Sequence, residues 1–469
     1  MSAGPIDLGT LTIADADAQI ARGDLSPIAL TETAFARIDA TNRGINAFVR
    51  LMRDSATVEA QAAEARAKIG KRLGPLDGIP IAVKDLFDTA GVVTAAGTSA
   101  YRERVPADDA TAVRLLRAAG AVLLGKTNTH ELALGGTTNN VHYGPTRNPW
   151  RLDRVPGGSS GGSGAALAAA QALGALGTDT GGSIRIPAAF CGVTGHKPSY
   201  GLVSRGGVVP LSLTLDHAGP MALTALDCAL MLDVLAGHDP RDPDSVQRPA
   251  ESFAADIDGG IDGLRLAVIP SMVEGCDAAT VTAFEAGIET LRGLGAVIST
   301  IEPMTGEAEW RSSINGLLLA EGASYVEPIL RNRSYLIGES IRRRLAPGLE
   351  ISATDYIRML AARAHIEHRF ETALVNGGLA AYLAPTSPHT AEVILSDPNA
   401  DSTDYSKFRN TTVFDLTRQP SISLPAGFDG DGMPIGLMVT GARWDDARVL
   451  RIGHAFQQAT EFHLQRAVL

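Results

Sequence analysis

Two glycine-serine clusters constrain this chain more than any other feature: Gly157-Gly-Ser-Ser-Gly-Gly-Ser-Gly164 and Gly177-Thr-Asp-Thr-Gly-Gly-Ser-Ile-Arg-Ile-Pro187. Glycine inside a helix or strand costs about 1 kcal/mol relative to alanine, so clusters this dense in an alanine-rich stretch point to a need for bare backbone. Consecutive small residues ahead of a serine let several backbone N–H groups converge on one point, as the oxyanion of an acyl transfer requires. Ser183 is then the natural nucleophile. A pair of flexible turns is the plainer alternative.

A serine hydroxyl needs a base, and no histidine stands persuasively near the clusters. Lysine is the other choice. Among Lys68, Lys71, Lys84, Lys126, Lys197 and Lys407 none has a serine three positions before it, so an S-x-x-K arrangement is absent. Lys84 closes the apolar run Gly78-Ile-Pro-Ile-Ala-Val83, where burial disfavours the ammonium form and frees a neutral amine to act as base. The alternative for Lys84 is a strand-end ion pair with Asp85.

Other motifs promise chemistry and fail on context. Gly120 to Thr127 fits the phosphate-loop pattern, yet Ala121 to Leu124 read as an apolar strand rather than an irregular turn of N–H donors. Gly157-Gly-Ser159-Ser-Gly161 fits the nucleophile elbow of α/β-hydrolases, but Val155-Pro156 is a poor preceding strand and His389, His454 and His463 occupy undistinguished positions. Asp179-Thr-Gly181 lacks the second copy that a shared-proton carboxylate pair needs. His365 and His368 form no H-E-x-x-H order and read as a helix face, and His217 reads as structural.

Apolar runs at 79–83, 121–124, 264–269, 296–301, 380–384, 422–424 and 435–439 are strand candidates. Helical periodicity marks a pair within 11–48, then 56–69, 109–119, 165–176, 225–235, 279–294, 445–459 and most of 309–370. This alternation predicts an α/β fold, a mixed central sheet with helices on both faces. No linker divides the 469 residues, so a single domain is expected, with a catalytic core near 75–225 and a helical layer near 305–375. The arginines at 342–344 read as a solvated face of that layer.

A formal charge of −11 opposes sequence-independent binding to phosphate backbones, so no nucleic-acid partner is expected. Three widely spaced cysteines suit a reducing compartment, and the acidic first residues lack the basic and apolar regions of a secretory leader. No apolar stretch reaches the ~20 residues that span a bilayer. A cytoplasmic protein without membrane contact is expected.

Together, Gly78-Ile-Pro-Ile-Ala-Val-Lys-Asp85, the stretch 120–220 with both serine clusters, Asn46-Ala-Phe48 and Pro425-Ala-Gly427 closely resemble the amidase signature hydrolases. The resemblance implies a Ser-Ser-Lys triad: Lys84 as base, Ser159 as bridging serine and Ser183 as nucleophile. It also implies a cis Gly158–Ser159 peptide, an oxyanion hole from the N–H groups of Thr180, Gly181, Gly182 and Ser183, and bracing by Asp179 and Arg185. No metal or cofactor is implied. The acyl pocket would draw on 131–138, 309–325 and 335–356, with Leu134, Gly135, Gly136 and Thr137 against the substrate and Leu134, Leu317, Leu318 and Leu319 making it apolar.

The expected activity is hydrolysis of a small-molecule carboxylic amide through a serine acyl-enzyme, by a chain that works alone or as a homodimer. The same family contains the glutamine-hydrolysing subunit of tRNA-dependent amidotransferases. His217, where that subunit usually has glutamine, and the absence of its tyrosine-rich pattern in 340–356 count against that alternative. A non-catalytic protein that uses the glycine loops as an anion nest is the alternative from another class; the presence of all three triad residues speaks against it.

Overall fold

The computed structural model of the chain describes residues 6–249, 251–303, 307–400 and 406–469. Its strands, in chain order, are β1 (Phe48–Leu51), β2 (Pro80–Lys84), β3 (Val122–Thr127), β4 (Asn139–Asn140), β5 (Gly144–Pro145), β6 (Gly174–Asp179) and β7 (Thr194–Lys197). They continue with β8 (His217–Ala222), β9 (Arg265–Val268), β10 (Val297–Thr300), β11 (Ala381–Pro385), β12 (Ser421–Phe428) and β13 (Pro434–Gly441). All but the small β4–β5 pair join one 11-stranded sheet in the order β1-β3-β2-β6-β8-β7-β12-β13-β11-β9-β10.

The sheet is mixed, as expected: β3, β2 and β6 are parallel neighbours, as are β11, β9 and β10, while antiparallel pairs join the two groups. Every residue of β2, β3, β6 and β8 is buried, which requires cover on both faces. The helical segments form close to where periodicity places them. Ile13–Arg22 stops at Gly23 in the left-handed conformation, and Pro27–Ile45 starts behind a Ser26 cap. Within the 120–127 stretch Val122–Thr127 is indeed a strand, and Lys126 is buried among the Phe87 carbonyl and the Thr89 and Thr94 hydroxyls.

One helix differs. The predicted segment 165–176 is a helix only over Gly161–Ala168 and then turns into β6. Gly174 decides this: a Cβ there would lie 2.6 Å from Ile81 Cδ1 and 2.8 Å from Met231 Sδ, so the small side chain admits a strand between β2 and the Ala225–Leu235 helix.

The segment 309–370 folds as Glu307–Asn332, Glu339–Leu345 and Ala353–Gly377. One apolar cluster seats this layer through Trp310, Ile314, Leu317, Ile366 and Phe370 against Tyr382, Phe414 and Met438. A second joins Leu132, Ala133 and Leu134 to Leu211, Ala323, Val326 and Ile341. The layer thus stands over the carboxyl ends of β2 and β6.

Candidate active site

Ligands of open α/β sheets gather beyond the carboxyl ends of the strands. Lys84 is the last residue of β2, and Thr178 and Asp179 close the parallel β6. Ser159 enters the same corner through a cis Gly158–Ser159 peptide, and Ser160 precedes the Gly161–Ala168 helix. A Cβ on Gly158 would come within 2.8 Å of the Thr137 nitrogen and 2.9 Å of the Gly135 carbonyl, so the close crossing of these segments requires glycine.

Lys84 is fully buried, and its Nζ donates to Ser159 Oγ at 2.8 Å, Ser160 Oγ at 2.8 Å and Thr178 Oγ1 at 2.7 Å. Burial pulls the amine down to about 7, against the attraction of Asp179 and Asp216. Asp85 does not pair with it: its Oδ2 accepts from the Ala95 N–H at 3.2 Å, and its Oδ1 lies 3.8 Å from Lys126 Nζ. The strand-end ion pair weighed from sequence is therefore not formed. Ser160 and Thr178 are partners that sequence reasoning missed; the second serine of the GGSS run was the available signal.

Ser183 sits on the loop after β6, and its carbonyl accepts the Ser160 N–H at 3.2 Å. That loop is wrapped around Asp179, whose carboxylate accepts from Gly182 N–H at 2.5 Å, Ile184 N–H at 3.0 Å and both Nε and Nη2 of Arg185 at 3.0 Å. Burial alone would raise the Asp179 carboxyl; the Arg185 guanidinium reverses this and holds it far below the usual carboxylate range. Arg185 also donates to Asp415 Oδ2 at 2.7 Å, a residue no motif singled out. Burial and the neighbouring Asp179 charge push the Asp415 carboxyl well up.

One expectation for the oxyanion donors needs correction. The Gly182 N–H is taken up by Asp179, so it is not free to face a substrate. The N–H groups of Gly181 and Ser183 have no acceptor among the described residues. Thr180 is held from its side chain, its Oγ1 donating to Asp216 Oδ1 at 2.6 Å.

A cavity of about 380 Å³ opens beside Ser183. Thr180, Gly181, Leu134 and Gly135 line it with Leu211, Trp310, Ile314, Leu318, Leu319 and Phe408. Of the leucines expected there, Leu317 instead lies in the core beneath the layer. Gly136 and Thr137 line an adjoining chamber of about 550 Å³ with His130 and His389. Arg343 and Arg344 border the Ser183 cavity instead of forming only a solvated face, and Arg344 donates to the Leu134 carbonyl at 3.0 Å. His217 is buried behind the nucleophile loop, opposite Asp179 in the β6–β8 ladder, with Nδ1 2.7 Å from the Leu215 carbonyl, 3.3 Å from the Asp179 carbonyl and 3.5 Å from Asp415 Oδ1, and its ring edge-on to Tyr200. It does not line this cavity, so it says little about substrate. Among the described residues no cluster of metal-ligating side chains occurs, and no helix is long and apolar enough to cross a membrane.

With this geometry in view, the comparisons are consistent. A family model described as Amidase matches residues 29–450. A Chloroflexus aurantiacus protein, named as a glutamyl-tRNA(Gln) amidotransferase subunit, is 41% identical, the alignment covering 98% of this chain and 99% of that protein. A solved chain from a vestigial protein complex, described as revealing the origins of an s-triazine catabolic enzyme, is 34% identical with a TM-score of 0.91, covering 98% of this chain and 100% of its own. The native peptide amidase of Stenotrophomonas maltophilia is 31% identical with a TM-score of 0.86, covering 96% and 97%.

These findings overturn the expectation about partners. A lone chain or homodimer meeting only a small-molecule amide, with no nucleic acid in its biology, does not fit full-length relatives that are named as components of an amidotransferase for a charged tRNA.

Proposed function

The chain belongs to the amidase signature family and is an enzyme acting on amide C–N bonds, and on that footing we propose that it is the amide-cleaving subunit of an amidotransferase-type assembly. Ser183 attacks a primary carboxamide such as that of glutamine, its proton passing through Ser159 to neutral Lys84. The backbone N–H groups of Gly181 and Ser183, which Asp179 leaves unclaimed, hold the oxyanion, each donor being worth roughly 3 kcal/mol. Return of the proton through Ser159 expels ammonia, and water then hydrolyses the acyl-enzyme.

The observation that carries this reading is the buried Lys84 amine, drawn to about 7 and bonded to Ser159 at 2.8 Å, which equips it to give and take a proton near neutrality. The subunit role is supported by the names of relatives aligned over nearly the whole chain. The test is to purify the tagged chain from its source cells, identify copurifying subunits by mass spectrometry, and compare ammonia release from glutamine by the complex and by the isolated chain. Glutamine hydrolysis that depends on the copurifying subunits supports the proposal. Rapid hydrolysis of other amides by the isolated chain, with no partner recovered and no glutaminase activity, contradicts it.

A further inference from the structure

The helix Glu307–Asn332 contributes Trp310, Ile314 and Leu318 to the Ser183 cavity, four residues apart and hence on one face. Glu321 follows one turn after Leu318. Its carboxylate gathers four donors: the Ser212 hydroxyl, the Thr214 hydroxyl, the Thr214 N–H at 3.0 Å and the Tyr356 hydroxyl at 2.7 Å. Burial and the Glu321 carboxylate push Tyr356 up to about 12, so its hydroxyl stays protonated and donating at any working pH.

Ser212 and Thr214 belong to the loop before β8, which carries a second carboxylate. Asp216 Oδ2 accepts the N–H groups of Leu211 at 2.8 Å and Ser212 at 3.0 Å, and its Oδ1 accepts Thr180 Oγ1. Two carboxylates therefore join the cavity wall to the nucleophile loop through one continuous set of hydrogen bonds. Glu321 takes no part in the proton relay itself, whereas Asp216 also acts on the Lys84 amine through its charge.

We infer that Glu321 is a positioning residue that couples occupation of the cavity to the alignment of the Thr180–Ser183 loop, so that acyl groups long enough to press on Ile314 and Leu318 react faster rather than bind tighter. This rests on the proposed role of Ser183 as nucleophile. Contacts remote from the reacting carbonyl raise turnover when their binding energy fixes catalytic geometry, and small misplacement of a reacting group is costly.

The test labels Ser183 with a short-chain and an octyl fluorophosphonate and separates the limiting inactivation rate, kinact, from the half-saturation constant, KI. In the unsubstituted chain the octyl probe is expected to show the higher kinact. Glu321→Gln should lower the octyl kinact about tenfold, leave KI within about twofold and leave the short-chain kinact unchanged. Tyr356→Phe removes one donor and should give the same selective loss, about threefold, should Glu321→Gln fold poorly. Equal loss with both probes, a change confined to KI, or no change overturns the inference. No Ser183 adduct in the unsubstituted chain overturns the proposed nucleophile, and with it this coupling.

Discussion

The Lys84 amine lies 2.8 Å from the Ser159 hydroxyl, with no water-exposed surface on either side chain. A buried amine needs acceptors while charged and a donor while neutral, and hydroxyls serve both states. Lys84→Met keeps much of the stem and removes the base, so kcat/KM for amide cleavage should fall about 10³-fold, with Ser159→Ala falling about 10²-fold and Ser183→Ala to background. Steady-state kinetics on folded variants checks this ordering.

The pH dependence follows from the direction of the Lys84 shift. The amine is depressed from 10.5 to about 7, so the neutral base accumulates as pH rises through about 7, and kcat/KM should rise there with a single ionisation. Between about 7 and 10.5 the unfolded chain binds a proton that the fold lacks, so stability contributed by this group rises with pH across that window. Urea midpoints of the wild type and Lys84→Met at pH 7 and 10 should converge as pH increases.

Ser160 and Thr178 accept from the charged amine and thereby favour the ammonium form. Ser160→Ala should move the acidic limb of the pH–rate profile to lower pH and reduce the plateau about tenfold. A shift to higher pH would show that the Ser160 hydroxyl favours the neutral amine instead.

Asp179 depends on Arg185 for charge compensation inside the protein. Arg185→Met should destabilise the fold by about 3–5 kcal/mol, because a buried carboxylate loses its partner. Chemical denaturation measures the loss. Asp179→Asn in the Arg185→Met background should recover part of it, since the uncompensated charge is then gone.

Much of the site was readable because its chemistry is local in sequence. Lys84, Ser159 and Ser183 are each flanked by residues that only a tightly folded backbone explains, and the structure brings Lys84 and Ser159 into contact and places Ser183 on the adjoining loop. What could not be read depends on distant partners. Asp415 meets Arg185 from 230 residues further along the chain, and Leu211 and Phe408 reach the cavity from segments that carry no motif. The strands β6, β7 and β8 escaped detection because their glycine and polar residues break the continuous apolar run that reveals fully buried strands such as β2 and β3. Buried polar residues such as Lys197, which donates to the Gln419 carbonyl at 2.6 Å, further disguise β7 as a loop. The preference for a free-standing amidase relied on His217 and on the missing tyrosine-rich pattern in 340–356; His217 packs behind Asp179 and does not line the Ser183 cavity, which makes it a poor guide to substrate.

The most direct measurement of the central claim is the rate of fluorophosphonate labelling as a function of pH, with the modified residue mapped by mass spectrometry. The expected result is one adduct, on Ser183, whose rate of formation climbs through an ionisation near 7 and collapses in Lys84→Met. An adduct on another residue, or a labelling rate that Lys84→Met leaves unchanged, would contradict it.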